Sequence, residues 1–161
     1  VHAGARMRGI AVCNSAAKIG TAQAWQERAA TVRSQGAAAM QALADSAPGR
    51  WFTPGFTQTH PDIVQRAQAW IAGIAPEGYA ACCEALATSD LRDSISRIGV
   101  PTLLLAGADD PVTTVADAQA MQDSIAGSSL AIVPASHLSN LEAPQAFEKA
   151  VVNFLAHAAK A

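Results

Sequence analysis

Three short apolar runs punctuate this chain. "RGIAVCN" at 8–14 reads as a buried strand that ends on the polar pair Asn14 and Ser15. "PTLLLAG" at 101–107 is a second run, closed by Gly107, and "SLAIVP" at 129–134 is a third. Unbroken runs of this kind suit strands buried on both faces, as in a parallel sheet covered by helices. Between the last two, Val115, Ala118, Met121, Gln122 and Ile125 recur as a mainly apolar helical stripe, and Gly127 lies where a C-terminal cap belongs. This strand–helix–strand order predicts two parallel strands joined by a right-handed crossover. A last helix begins at Pro144 and repeats Phe147, Val151, Phe154 and Ala158 on one face.

The middle of the chain has no strand pattern. Ala22, Trp25, Ala29 and Val32 form one helical stripe, stopped at Gly36, and residues 37–47 are nearly all Ala, Met and Leu. Pro61 opens a helix with Ile63, Ala67, Trp70 and Ile71 facing one way, and Pro76 opens another with Tyr79, Cys83 and Leu86. Asp90 is placed to cap a short helix through "LRDSIS". The expected architecture is α/β: parallel strands and flanking helices built from 1–20 and 99–161, interrupted by an all-helical insertion over 21–98. No repeat or Gly/Ser linker separates the two.

A length of 161 residues suits one ordinary domain with a sizeable core. Half the residues are apolar and 15% are charged, below the roughly one-quarter that is usual, which excludes a disordered chain. No apolar run approaches the ~20 residues of a membrane span, and "VHAGARMRG" is followed by too short an apolar run to be a signal peptide. A net charge of −2 offers no general attraction to nucleic acid. Cys13, Cys82 and Cys83 match no metal-ligand spacing and read as reduced, packed thiols, consistent with a reducing, cytoplasmic setting.

Open parallel sheets place their chemistry beyond the carboxyl ends of the strands. Asp110 follows Gly107 at the end of the second run, in "LAGADDP", and His137 follows the third, in "VPASHLSN", 27 residues further on. A carboxylate and an imidazole on neighbouring strand ends come within hydrogen-bond reach; the carboxylate then fixes the ring's tautomer and leaves its other nitrogen to act as a base. Either residue alone is ordinarily a helix cap or a turn residue; the pair, in this order, tips the reading to function. Asp109 competes with Asp110, but the Gly-x-x-Asp spacing favours Asp110. Asn140 and Glu142 are candidates to brace the loop behind His137.

"GADD" followed by "SH" resembles the acid and base of an α/β-hydrolase, whose chain order is Ser, acid, His. The resemblance sharpens in "AVCNSAAKIGT", "RWFTPGF", "PEGYAACCEAL", "SDLRDSISRI" and "SHLSNLEAP", which are similar to the 3-oxoadipate enol-lactonases of the β-ketoadipate pathway of aromatic catabolism, over about residues 8–155. It implies that residues 21–98 form the helical cap of that fold. It also implies a departure. The family's nucleophile is the Ser of a Gly-x-Ser-x-Gly elbow, and no such pentapeptide occurs here; Ser15, in "CNSAA", lacks the flanking glycines. The elbow would fall roughly a dozen residues before Val1, so the chain reads as the carboxyl-terminal portion: cap, acid and base.

The resemblance implies hydrolysis of an anionic lactone, 3-oxoadipate enol-lactone, to 3-oxoadipate, with no metal and no organic cofactor. The substrate's carboxylate calls for a cation near the site, for which Lys18, Arg28 and Arg50 are the candidates, with Trp25, Trp51 and Trp70 as pocket-shaping aromatics. The expected partners are that small molecule and the amino-terminal half of the same fold, with neither nucleic acid nor membrane. The sheet edge that this half would cover favours association. Two other readings remain at this point: a hydrolase for another small carboxylester or lactone, and a non-catalytic binding module.

Overall fold

The computed structural model describes residues 6–158, which form two compact units, one of residues 6–17 and 91–158 and the other of residues 18–90.

The first unit is built on a three-stranded parallel sheet of β1 (Ile10–Cys13), β2 (Thr102–Gly107) and β3 (Ser128–Val133), in that spatial order. Ile10 stands opposite Thr102, and the β2–β3 register runs from Thr102 opposite Ser128 to Gly107 opposite Val133. Helices α7 (Val115–Ser124), α8 (Ser139–Glu142) and α9 (Pro144–Ala158) belong to this unit. Alternation along the central strand sorts the two faces. Leu104 packs with Met121 and Ile125 of the α7 region, whereas Leu105 packs with Val133, Ala135 and, from α9, Phe147 and Val151. Every residue of β2 is buried, which is why its sequence is an unbroken apolar run. Burying Leu104 and Leu105 contributes about 2 kcal/mol each in apolar transfer.

β1 departs from the buried strand its sequence predicts. Its residues are only partly buried, or exposed at Ala11, because it pairs on one side alone among the described residues. Thr114 caps α7 with a reciprocal capping box to Asp117, and Gly127 takes the left-handed conformation, φ +72°, that turns the chain from α7 into β3.

The second unit is all helical: α1 (Ala22–Gln35), α2 (Ala37–Ser46), α3 (Pro48–Trp51), α4 (Pro54–Thr59), α5 (Pro61–Ala72) and α6 (Pro76–Thr88). The short α3 and α4 begin on prolines and carry no stripe long enough to announce them. The core is rich in small side chains, with Ala29, Ala39, Ala44 and Ala80 packed around Val32 and Met40. On the exposed side, Arg33 of α1 bridges Glu77 and Glu84 of α6.

Four expectations need correction. The unit boundary falls after Asp90, not at 98/99, because Leu91 N donates to Ala17 O and Ile95 and Ile98 pack under the sheet. The segment after Asp90 is a turn and a single 3₁₀ turn, Ile95–Arg97, rather than a capped α-helix; the bonds of the 3₁₀ turn run three residues apart, from Arg97 N to Ser94 O and from Ile98 N to Ile95 O. In α5 the buried stripe is Val64, Ala67 and Ile71, and Trp70, about 100° round the helix from Ile71, is exposed. The same geometry separates the adjacent cysteines of α6: Cys83 is buried, but Cys82 is exposed rather than packed. No helix among the described residues is long and apolar enough to cross a membrane.

Candidate active site

The carboxyl ends of all three strands meet in one polar cluster. Beyond β2 the chain stays bonded to the segment beyond β3, with Ala108 N donating to Val133 O and Asp109 N to Ala135 O. Gly107 permits this approach, since a Cβ there would lie 2.3 Å from the Ser136 carbonyl oxygen. The Asp110-Pro111 step then turns the chain, and Oδ1 of Asp110 accepts from the backbone of Val112 at 2.8 Å and of Thr113 at 3.1 Å.

Oδ2 of Asp110 gathers the rest. It accepts from Thr113 Oγ1 at 2.9 Å and from Asn14 Nδ2 at 3.0 Å, and it lies 2.8 Å from Nδ1 of His137. The Asp110 side chain is 0% exposed and that of His137 22%. Burial alone pushes the carboxyl's proton affinity up, but the bonds from His137, Asn14, Thr113 and Val112 outweigh it and hold the group well below the usual carboxylate range. An ionised carboxylate only accepts hydrogen bonds, so Nδ1 of His137 carries the proton. In the neutral ring Nε2 then keeps its lone pair and is free to take a proton from a reactant.

The structure thus brings Asp110 and His137 together and leaves Asp109 exposed. Glu142 meets the His137 loop, its Oε2 accepting from Ser136 N at 2.8 Å, whereas Asn140 is exposed. Three contributors were not anticipated: Asn14, Thr113 and Ser139. Asn14 is the available signal among them, since an asparagine closing a strand is a residue that tolerates left-handed backbone.

The other candidates lie in the helical unit and have partners there. Lys18 is ion-paired with Asp90 at 3.1 Å. Trp25 donates from Nε1 to the Ile19 carbonyl at 2.6 Å, and the guanidinium of Arg28 sits 4.9 Å over its ring. Arg50 contacts Ser46 Oγ at 3.4 Å, and Trp51, like Trp25, packs partly buried against the helical core. Among the described residues no cluster of three or more His, Cys, Asp or Glu side chains is placed to hold a metal ion.

A parallel sheet between helices, with an acid and a histidine beyond adjacent strands, is part of an α/β-hydrolase fold. The chain is 50% identical over 94% of its length to 3-oxoadipate enol-lactonase 2 of Acinetobacter baylyi, and 40% identical over 91% to 3-oxoadipate enol-lactonase 1 of the same organism. Among solved structures, the enol-lactonase from Burkholderia xenovorans is 38% identical with a TM-score of 0.88, covering 94% of this chain and 57% of that one. A thermophilic esterase from Thermogutta terrifontis is 25% identical with a TM-score of 0.86, covering 95% and 57%. The chain spans about half the length of the curated relatives it matches, 55% and 54% of the two lactonases. No protein-family model matches the sequence.

Proposed function

We propose that this chain supplies the acid and base of a Ser-His-Asp hydrolase that opens 3-oxoadipate enol-lactone to 3-oxoadipate. The observation that carries the reading is the 2.8 Å contact between His137 Nδ1 and the buried Asp110 carboxylate. The similarity to two enol-lactonases supports the choice of substrate.

His137 Nε2 takes the proton of a serine hydroxyl as the oxygen bonds to the lactone carbonyl carbon, and Asp110 stabilises the imidazolium. Collapse of the tetrahedral adduct breaks the ring carbon–oxygen bond. The leaving oxygen departs as an enolate, which takes the proton back at carbon and becomes the ketone. Water, deprotonated by His137, then releases the acyl group as a carboxylate and restores the serine. The 161 residues hold no Gly-x-Ser-x-Gly sequence, and the serine is proposed to come from a segment outside them.

The test is turnover of the enol-lactone and of a simple ester such as p-nitrophenyl acetate by the purified intact protein, with His137→Ala beside it. Lactone-selective hydrolysis that collapses in the variant is expected. Equal turnover of both compounds would replace the lactone by small carboxylesters as the substrate class, the reading that the similarity to an esterase favours. Stoichiometric labelling of a serine within these 161 residues by a fluorophosphonate would overturn the proposed origin of the nucleophile.

A further inference from the structure

Asn14, the residue immediately after β1, has φ +44° and is the one non-glycine residue with positive φ among those described. Asparagine tolerates that conformation better than most side chains, and a strained residue held in place by its surroundings marks a site worth explaining. Its backbone N donates to Leu105 O at 2.8 Å, which fixes where the side chain leaves β1. From there Nδ2 donates to Oδ2 of Asp110 at 3.0 Å and towards the Ser136 carbonyl at 3.3 Å, and Oδ1 accepts from the hydroxyl of the fully buried Ser139. The amide orientation follows from these partners. Turned over, its oxygen would face both an ionised carboxylate and a carbonyl, neither of which can donate.

One amide therefore touches the carboxylate that bonds His137, the residue before His137, and the first residue of α8 behind it. We infer that Asn14 is a positioning residue of the acid–base pair, holding Asp110 and the His137 loop in register through a single side chain that spans the ends of all three strands. Its catalytic meaning rests on the proposed hydrolase reading, whereas its effect on the histidine is readable without turnover.

Two variants separate donation from shape. Asn14→Gly keeps a residue that accepts the left-handed backbone and removes the amide. Asn14→Asp keeps size, and replaces the donor by a carboxyl that can donate to Asp110 only while protonated, since two carboxylates in contact do not both ionise freely. In the intact protein, Asn14→Gly is expected to lower kcat on the order of tenfold with KM unchanged, the scale of a lost hydrogen bond to a charged group. For Asn14→Asp, the ratio of its kcat to that of the unaltered protein is expected to fall as pH rises. A second readout is the proton resonance of His137 Nδ1–H, assigned by its loss in His137→Ala; it should shift or broaden in both Asn14 variants.

An unchanged Nδ1–H resonance in Asn14→Gly, or a kcat ratio for Asn14→Asp that is flat with pH, would overturn the inference, because a purely structural asparagine predicts both. If His137→Ala keeps full activity, the hydrolase reading fails by itself, and the resonance still decides whether Asn14 orients the ring.

Discussion

The carbonyl oxygen of Ser136 lies 2.3 Å from where a β-carbon on Gly107 would stand, so the end of β2 and the loop that carries His137 are in backbone contact. A methyl group there must push that loop away. Gly107→Ala is expected to destabilise the protein by about 1–3 kcal/mol, the usual scale of overpacking, and to lower turnover by displacing the neighbour of His137. Thermal melting together with kcat checks both; an unshifted melt would mean that the loop yields freely.

Asp110→Asn keeps the size of the side chain and reverses its role at Oδ2. An amide nitrogen in that place faces the Asn14 amide and the protonated Nδ1 of His137, so the ring must turn or change tautomer. Loss of the equivalent carboxylate costs on the order of 10⁴-fold in kcat in serine proteases, and a loss of that order is expected here. Steady-state kinetics of the folded variant on the enol-lactone is the measurement.

The same carboxylate makes stability depend on pH. Its folded proton affinity lies below the ordinary value of 3.8, so the unfolded chain binds the proton more readily. The contribution is fully present above that ordinary value and is lost as pH falls through the depressed folded one. Urea unfolding between neutrality and about pH 3 should show stability declining on the acid side, with a shallower decline in Asp110→Asn.

Alkylation should distinguish the adjacent cysteines. Cys82 is exposed, whereas burial covers Cys83 and pushes its thiol, like that of Cys13, above the usual range. Under native conditions iodoacetamide is expected to label Cys82 first, with the other two reacting only on unfolding. Peptide mass spectrometry reads the order, and early labelling of Cys83 would contradict the packing of α6.

The chain as given is expected to associate. β1 has one unpartnered edge among the described residues, and Ile132 of β3 and Val152 and Leu155 of α9 are exposed apolar side chains in the same unit. Light scattering should give a mass above 16.5 kDa; a single peak at that mass with a cooperative melt would refute the expectation.

What was legible in the sequence was whatever repeats locally. The apolar runs of β2 and β3, the stripe of α7 and the positions of Asp110 and His137 after strand ends need only short windows to read. The stripe of α5 failed because Trp70 and Ile71 are adjacent, both apolar, and only one faces the helical core. Burial of β1 failed because it depends on a strand beside it, not on its own residues. For Asn14 the local signal, an asparagine closing a strand, does not reach its partners: Asp110 and Ser139 stand 96 and 125 positions away, and no local pattern encodes a contact at that range.

The full set of acceptor bonds at Asp110 has a consequence for how such a protein can change. The Asp110 contacts described above all come from residues 14, 112, 113 and 137, none of them in the helical unit of residues 18–90. Selection on the hydrogen bonds that hold the carboxylate therefore acts on stretches of the gene on either side of the one that encodes the helical unit.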